Sequence, residues 1–251
     1  MASPKFTISC FFFLSSIVIL VQTSISVDPL FNFCSKSGNF TAKSYYAKNL
    51  KNLLGDLYFK TPLTGFSTSL IGKIPYQTYG LSLCRGDISS KTCKSRIANT
   101  SEQLGKYCPY DKEAIIWYDN CLLKYSDKHF LGKIDNTYKY SMPNNLSKMP
   151  ELFNAKAKVL LGSLVEKTYY GNLYATGEVK IGENKKLYGL VQRTRDVSGG
   201  DCKKCLEGII STECSSCCDG KEGGRVFSGS CNFRYEIYPF ISYPRRYKIL
   251  M

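Results

Sequence analysis

Cysteine is the residue type with the most chemical potential in this sequence of 251 residues, which contains twelve of them. Cys202 and Cys205 have the C-x2-C spacing of redox-active dithiols, and the two lysines between them can lower a thiol pKa. A thiol–disulfide oxidoreductase is therefore one hypothesis. The strand–helix–strand context of thioredoxin-like proteins does not surround this motif, which favours a structural role for both cysteines.

Other side chains that commonly carry catalysis are scarce. His129 is the one histidine of the sequence, which argues against a His-based triad, a multi-His zinc site or haem ligation. Asp111, Glu113 and Asp119 are scattered and do not form an obvious pair for general acid–base catalysis. We therefore expect a protein that is not an enzyme and that has no catalytic residue, no metal and no cofactor.

The charge balance points to anionic surroundings. The chain has 34 basic and 20 acidic residues, a net charge of +14, and its last residues, 244–251, form a basic tail. This excess favours a cell-wall glycan such as a pectin-like polymer, or an anionic membrane surface, over a nucleic acid, which we do not expect as a partner. The hydrophobic content of 43% excludes intrinsic disorder.

The first 26 residues have the features of a secretory signal peptide. Lys5 precedes an apolar run from Phe11 to Val21, and small residues then lead to a cleavage site after Ser24 or Ser26. An uncleaved anchor is the alternative. No later segment approaches the ~18 apolar residues that a membrane span needs, so we expect no transmembrane segment in the mature chain. Three N-glycosylation sequons agree with passage through the secretory pathway, at Asn39, Asn99 and Asn145.

The rest of the sequence is a duplication. Tyr79-Gly80-Leu81 recurs 109 residues later as Tyr188-Gly189-Leu190. Further along the chain the offset becomes 110, as in Cys121 and Cys231, and upstream of the triplet it is 107. Three similar offsets in the same order indicate two homologous domains of about a hundred residues each.

The domain boundaries follow from this repeat. We assign the first domain to residues 27–133 and the second to residues 150–243. The stretch 134–149 reads as a linker, because Met142-Pro143-Asn144-Asn145 is rich in turn-forming residues.

Each repeat predicts two helices and a sheet. The first helix has apolar residues at i, i+4, i+7, i+8 and i+11 in both repeats: Tyr46, Leu50, Leu53, Leu54 and Leu57, then Phe153, Ala157, Leu160, Leu161 and Leu164. The second helix, capped by Asp87 or Ser89, has a buried face formed by Cys93, Ile97, Thr100 and Leu104. Because helices and strands do not alternate regularly, we expect an α+β fold: two tandem, disulfide-stapled domains, each an antiparallel sheet with two helices packed on it.

Superposing the repeats gives one cysteine pattern, C-x8-C-x2-C, from which each repeat lacks one member. The first repeat has Arg96 in place of the third cysteine. The second repeat has Arg193 in place of the first. Arg96 lies three residues after Cys93, on the same face of the helix, so it interrupts an otherwise buried stripe.

With this pattern after a signal peptide, the sequence resembles the plant cysteine-rich repeat secretory proteins. Their repeat is the stress-antifungal domain, which is homologous to the ginkgo seed protein ginkbilobin. The resemblance covers residues 30–242 and is carried by Tyr79–Asp87, Cys108-Pro109, Ile116–Ser126, Gln192–Asp196, Asp201–Leu206, Gly223–Arg225 and Arg234–Phe240. The same repeats form ectodomains of receptor-like kinases and plasmodesmal membrane proteins, and this sequence is most similar to the free secreted branch.

The resemblance implies a disulfide framework in the apoplast, the extracellular space of plants. The implied bonds are Cys34–Cys108, Cys84–Cys93 and Cys205–Cys231. The family partners of Cys121 and Cys202 are the positions now occupied by arginine, and Cys214, Cys217 and Cys218 have no assigned partners. Removal of Cys10 with the signal peptide leaves eleven cysteines, an odd number. Alternative pairing, a disulfide-linked dimer and a poorly folding paralogue all stay open.

The resemblance also implies a candidate glycan site. Ginkbilobin-like domains can bind mannose through an Asn after the first Cys, an Arg on a later strand and a Glu after the last Cys. The first repeat has Ser35, Ile115 and Ser126 at these positions, whereas the second has Arg225 and Glu236 but no Cys-Asn pair. An ordinary ion pair is the alternative for these two residues. We therefore expect a recognition or interaction protein in defence or stress response, with an extracellular protein or a cell-wall glycan as its partner, and with a mannose-binding antifungal lectin as the alternative.

Overall fold

The computed structural model describes residues 28–35, 38–169, 173–183 and 185–241. The predicted signal peptide, residues 1–26, and the basic tail, residues 244–251, lie outside these described residues. Among the helices of the described ranges, none combines the length and the hydropathy required to cross a membrane.

Two antiparallel sheets of five strands, each with two helices on one face, make up the described chain. The elements of the first unit are β1 (Phe31–Cys34), α1 (Tyr45–Thr64), β2 (Phe66–Ile71), β3 (Thr78–Cys84), α2 (Ser90–Tyr107), β4 (Ala114–Trp117) and β5 (Cys121–Ser126). Those of the second unit are β6 (Tyr140–Pro143), α3 (Pro150–Tyr169), β7 (Tyr174–Ile181), β8 (Lys185–Arg193), α4 (Gly199–Ser216), β9 (Gly224–Phe227) and β10 (Cys231–Glu236). The strand orders, β1-β4-β5-β3-β2 and β6-β9-β10-β8-β7, are the same, which confirms the predicted α+β fold of two tandem repeats.

The predicted helical stripes face the two cores. On α2 the buried residues are Cys93, Ile97, Thr100 and Leu104. The hydroxyl of Ser89 accepts a hydrogen bond from the backbone N–H of Thr92 (3.1 Å), so Ser89 is the N-cap of α2. Asp87, the other cap candidate, instead forms an ion pair with Arg85 (2.6 Å).

The glycine of the repeated Tyr-Gly-Leu triplet explains how the first helix of each unit approaches its sheet. A Cβ atom at Gly80 would lie 2.6 Å from Cδ2 of Leu53 on α1, and one at Gly189 would lie 2.8 Å from Cδ2 of Leu160 on α3. Both distances are far below van der Waals contact, so any larger residue would push the helix away from the strand. Both repeats therefore need a glycine at this position for the helix to pack on the strand. The equivalent contacts of Leu53 and Leu160 also show that α1 corresponds to α3 at the offset of 107.

The segment expected to be a linker is part of the second sheet, and here the sequence interpretation is wrong. Residues 140–143 form the edge strand β6, which pairs with β9 in the register Tyr140↔Phe227 to Pro143↔Gly224. The preceding residues are also packed, because Tyr138 stacks on Phe33 of β1 with ring centroids 3.5 Å apart. An edge strand bonds through one side only, so it tolerates the proline and asparagines that resembled a turn.

The outer faces of the two sheets, opposite the helices, meet each other. On the first sheet this face is apolar and is formed by Leu81, Leu83, Ile115, Trp117 and Leu122, and Phe227 of the second unit completes the same buried cluster. The indole N–H of Trp117 donates to the carbonyl of Ser228 (3.1 Å), and the side chain of Gln192 donates to the carbonyl of Cys84 (2.9 Å). The two units thus share a third core between their own two.

Candidate functional site

A cluster of charged side chains lies at the edge of the contact between the sheets, and Asp119 is its centre. Asp119 belongs to the turn between β4 and β5 of the first unit. Its carboxylate accepts from Arg85 (3.0 Å) of the same unit, and from Arg234 (3.1 Å) and Arg225 of the second unit. This cluster, which we call the Asp119 cluster, ties the two units together by charge.

The electrostatics of the cluster favour the ionised carboxylate. Burial opposes the ionisation of Asp119, but the charges of Arg225, Arg85 and Arg234 outweigh it and lower the pKa of the carboxyl. Burial also lowers the pKa of the Arg225 guanidinium, against the attraction of Asp119. Both groups stay charged at neutral pH, so the cluster holds opposite charges in a mostly buried place.

The two candidate glycan-binding residues lie in and beside this cluster, but they do not bond to each other. Arg225, on β9, pairs with Asp119, and its guanidinium also lies 5.1 Å from the ring centroid of Phe227. Glu236, on β10, accepts from Arg234 Nε (3.1 Å) and from Asn144 Nδ2 (3.0 Å). Both side chains are buried, and each forms a structural ion pair with a partner other than the one expected, Arg225 with Asp119 and Glu236 with Arg234.

Asn144 is a site residue that the sequence interpretation missed. In the first unit the backbone N–H of Ser35 donates to Glu113, and in the second unit that of Asn144 donates to Gly223, the equivalent residue at an offset of 110. Asn144 therefore occupies the position of the family asparagine, after Pro143 instead of a cysteine. The offset of 107 found upstream of the triplet leads from Ser35 to Met142, so the sequence repeat does not locate Asn144. The pairing of the edge strands does, because Cys34↔Ala114 of the first sheet corresponds to Pro143↔Gly224 of the second.

The second unit consequently brings all three family positions together. Asn144 is half-buried and bonds to Glu236, and Arg234 lies between Glu236 and Arg225 on the same face of the sheet. A Cβ atom at Gly223 would collide with the Glu236 carboxylate, so only a glycine at this position leaves room for the carboxylate. The first unit, with Ser35, Ile115 and Ser126, has no such set.

The cysteines of the described chain form four bonds. Three of them are the pairs that the resemblance implies, Cys34–Cys108, Cys84–Cys93 and Cys205–Cys231. The fourth joins the neighbours Cys217 and Cys218. Three thiols are free: Cys121 and Cys202, which are buried, and Cys214, which is half-buried. Because Cys205 is bonded to Cys231 and not to Cys202, the C-x2-C motif is not a dithiol pair.

The two buried thiols lie beside the arginines that replace their family partners. Thr100 on α2 lies 3.1 Å from the sulfur of Cys121, and burial raises the pKa of this thiol to about 11. Burial also raises the pKa of Cys202, against the nearby charge of Arg193. Arg193 donates to the carbonyl of Val197 (2.9 Å), and its Nε is buried without a partner among the described residues.

The three predicted glycosylation sites differ in exposure. Asn39 and Asn145 are exposed, whereas Asn99 lies half-buried within α2. The hydroxyl of Ser101, the third residue of that sequon, is buried as well. We therefore expect glycans at Asn39 and Asn145 in preference to Asn99.

Comparison with known proteins identifies the family model and the relatives that the chain matches. The family model described as salt stress response/antifungal matches twice, at residues 33–128 and 139–238. An antimicrobial ginkbilobin-2-like protein of Castanea crenata is 48% identical over 96% of this chain and 99% of its own length. Cysteine-rich repeat secretory protein 38 of Arabidopsis thaliana is 52% identical, over 84% of this chain and 85% of its own length.

Solved structures agree with the sequence relatives. The tandem DUF26 ectodomain of the Arabidopsis thaliana cysteine-rich receptor-like protein PDLP5 superposes with a TM-score of 0.73, at 26% identity, and covers 84% of this chain and all of its own. The ectodomain of PDLP8 superposes with a TM-score of 0.71 at 22% identity, which shows the shared fold. The chain is a member of the salt stress response/antifungal family, with two copies of the domain, and belongs with the plant cysteine-rich repeat secretory proteins.

Proposed function

We propose that this chain is a secreted, non-enzymatic recognition protein that acts outside the plant cell in defence or stress response. The observation that carries the proposal is the contact between the two repeats. The Asp119 cluster and the shared core join them into a single body. Such a body presents a single surface to a partner. The relatives named as secretory and antimicrobial proteins support the same interpretation.

The side chains best suited to catalysis have other contacts. Asp119 and Glu236 are paired with arginines, and His129 is exposed with its ring edge-on to Tyr79. The thiols of Cys121 and Cys202 are buried and have raised pKa values, so they are poor nucleophiles at neutral pH. These contacts support a binding role over thiol–disulfide exchange.

Secretion and antifungal activity test this proposal together. The full chain, expressed in leaves, is expected in the fluid washed from the extracellular space with its first residues removed. The purified protein is expected to slow the growth of fungal hyphae in a dose-dependent way. Retention inside the cell would contradict the proposed location, and insulin reduction by the purified protein that is lost in Cys202→Ser would replace the proposal with an oxidoreductase.

Binding of mannose-type glycans is the second candidate, and one observation favours it. Asn144, Arg225 and Glu236 occupy the three positions that the family uses, and the bond from Asn144 to Glu236 (3.0 Å) sets two of them side by side. Asn144 is the most exposed of the three, so a sugar hydroxyl would approach from its side. Arg225 is already paired with Asp119, so it would serve by holding that carboxylate and its own strand in place.

Asn144→Ala tests this candidate without removing the Arg225–Asp119 pair. We expect the deglycosylated protein to bind α-mannobiose, and the variant to bind it at least about tenfold more weakly, because one lost polar partner costs ~1–3 kcal/mol. Asn145→Gln is the matched control and is expected to bind like the wild type. If calorimetry finds no binding of mannobiose to the wild type, the glycan candidate is wrong while the broader proposal stands.

A further inference from the structure

The second unit contains a cavity of about 590 Å³ between α3 and α4, away from the Asp119 cluster. Ala157 and Val165 of α3, Ile210 and Cys214 of α4, and Tyr235 of β10 line it. The corresponding space between α1 and α2 of the first unit measures about 230 Å³. We call the larger space the α3–α4 cavity.

At least three large-to-small substitutions between the repeats contribute to the difference in volume. Leu50 and Tyr58 of α1 correspond to Ala157 and Val165 at the offset of 107, which the packing of Leu53 and Leu160 on their glycines establishes. Upstream of the helices, Phe40 corresponds to Ser147. The backbone N–H of Phe40 donates to Tyr110 (2.8 Å), and that of Ser147 donates to the equivalent Gly220 (2.8 Å). The second repeat has thus replaced three large side chains by small ones around one space.

The space leaves apolar side chains of both helices without a packing partner, although protein interiors are normally close-packed. The first repeat shows that the same fold can narrow this space to about 230 Å³, with Leu50 and Phe40 in its lining. The volume of about 590 Å³ falls within the range of small-molecule sites, ~300–1,000 Å³.

The lining defines the chemistry of a ligand. The walls are mostly aliphatic, with the ring of Tyr235, whose hydroxyl is already bonded to the carbonyl of Cys218 (3.1 Å). The mouth has three carboxylates, Glu166, Glu207 and Asp219, and each has a polar partner. Lys203 pairs with Glu166 (2.7 Å) and Glu207 (3.9 Å), the side-chain amide of Asn154 donates to Asp219 (2.6 Å), and Lys158 adds another positive charge to the lining. The charges at the mouth therefore largely compensate each other, and the apolar walls favour a neutral ligand.

We propose that the α3–α4 cavity is a binding site for a neutral, apolar small molecule. The body of the ligand packs between the two helices against Ala157, Val165 and Ile210. The site is independent of the glycan candidate, because the cavity opens on the helical face of the second unit and Asn144 lies on the opposite face of the sheet.

A fluorescent probe and a filled cavity test the proposal. The neutral probe N-phenyl-1-naphthylamine is titrated at pH 7 into the wild type and into Ala157→Leu, which restores the residue of the first repeat. We expect saturable binding of one probe per chain, weakened at least tenfold in Ala157→Leu. The control Val159→Leu, on the exposed side of α3, is expected to bind like the wild type.

Two further measurements keep the test decisive. Val165→Tyr fills the cavity in a second way, should Ala157→Leu disturb folding as seen by circular dichroism. In the wild type, bound probe is expected to slow alkylation of Cys214 by iodoacetamide at least threefold, because this thiol lines the cavity. No saturable binding, or equal binding by both filled variants, would overturn the proposal. Tighter probe binding after removal of residues 242–251 would also overturn it, since the chain's own tail would then be the occupant.

Discussion

At the scale of single residues, Arg96 and Arg193 each replace one cysteine of a family disulfide. The disulfide lost from the first repeat is not the one lost from the second. Cys205–Cys231 of the second unit corresponds to the lost pair of Arg96 and Cys121. Cys84–Cys93 of the first unit corresponds to the lost pair of Arg193 and Cys202. Each unit therefore demonstrates the bond that the other lacks. The equivalent bonds span Cα–Cα distances of 6.2 and 5.8 Å, which are ordinary for disulfides.

We predict that Arg96→Cys and Arg193→Cys each restore a disulfide. The free energy of unfolding is expected to rise by about 2–4 kcal/mol, more for Arg96→Cys because its bond closes the longer loop. Denaturant unfolding with and without reductant measures the gain. Thiol titration of the unfolded protein supplies the control, since each new bond consumes the buried thiol opposite. An unchanged thiol reactivity of Cys121 and Cys202 would show that the equivalence between the repeats is wrong.

A second prediction concerns Asp119 and acid. Its folded pKa is lowered, so its contribution to stability is complete above the unfolded pKa of about 3.9 and is lost as the pH falls through the folded pKa. We expect Asp119→Asn to lower Tm by about 2–4 °C at pH 7, a modest effect because the carboxylate is 43% exposed. In a scan of Tm against pH, the difference should shrink as the pH falls below about 3.9.

The exposed pair Glu102–Lys106 provides the control for this scan. Glu102→Gln removes a carboxylate that has no contact with the second unit, so its Tm is expected to follow the wild type at every pH. A difference between Asp119→Asn and the wild type that stays constant as the pH falls would mean that the substitution acts through packing and not through charge.

At the scale of elements, the helices were predictable from the sequence and one edge strand was not. Buried positions on α2 recur every three to four residues, so the spacing of Cys93, Ile97 and Leu104 identifies the buried face of this helix from the sequence alone. Strand β6 has only four residues, ends in Pro143 and bonds on one side, so its pattern carries little information. Missing β6 also meant missing Asn144, because the position of that residue depends on the strand before it.

Helix capping gives a prediction at this scale. Ser89 and Ser198 accept hydrogen bonds from the backbone of Thr92 and Asp201, both at 3.1 Å, at the start of α2 and α4. Ser89→Ala and Ser198→Ala are each expected to lower the free energy of unfolding by about 1 kcal/mol. Ser95→Ala, on the exposed side of α2, is the control and is expected to change it by less than about 0.5 kcal/mol. Urea unfolding measures all three, and equal effects in the three variants would argue against capping.

At the scale of the whole molecule, the sequence carried a partial signal for the contact between the sheets. The run Ile115-Ile116-Trp117 is apolar at every position, which is typical of a strand buried on both faces. Nothing in the sequence indicates what covers the second face, since Asp119 and Arg225 are 106 residues apart and the family segments that contain them do not predict that they pair. The repeat reveals each domain but not how the two associate.

The shared core predicts that the two units unfold together. Trp117 is the only tryptophan, and its indole N–H bonds across to Ser228, so its fluorescence reports the contact between the units while far-UV circular dichroism reports both sheets and all helices. We expect the two thermal transitions of the wild type to coincide within about 2 °C, as they do in two-state unfolding.

Phe227→Ala should separate these two transitions. It removes the buried ring that β9 of the second unit contributes to the shared cluster, at a cost of about 3–5 kcal/mol for a buried Phe. Much of that loss falls on the contact between the units, so the fluorescence transition is expected several degrees below the dichroism transition. Leu146→Ala, at an exposed position, is the control and should keep them coincident. If the transitions of the wild type are already separate, the units behave as independent domains. Partner recognition would then have to be sought on each repeat alone, because a surface formed by both would not persist.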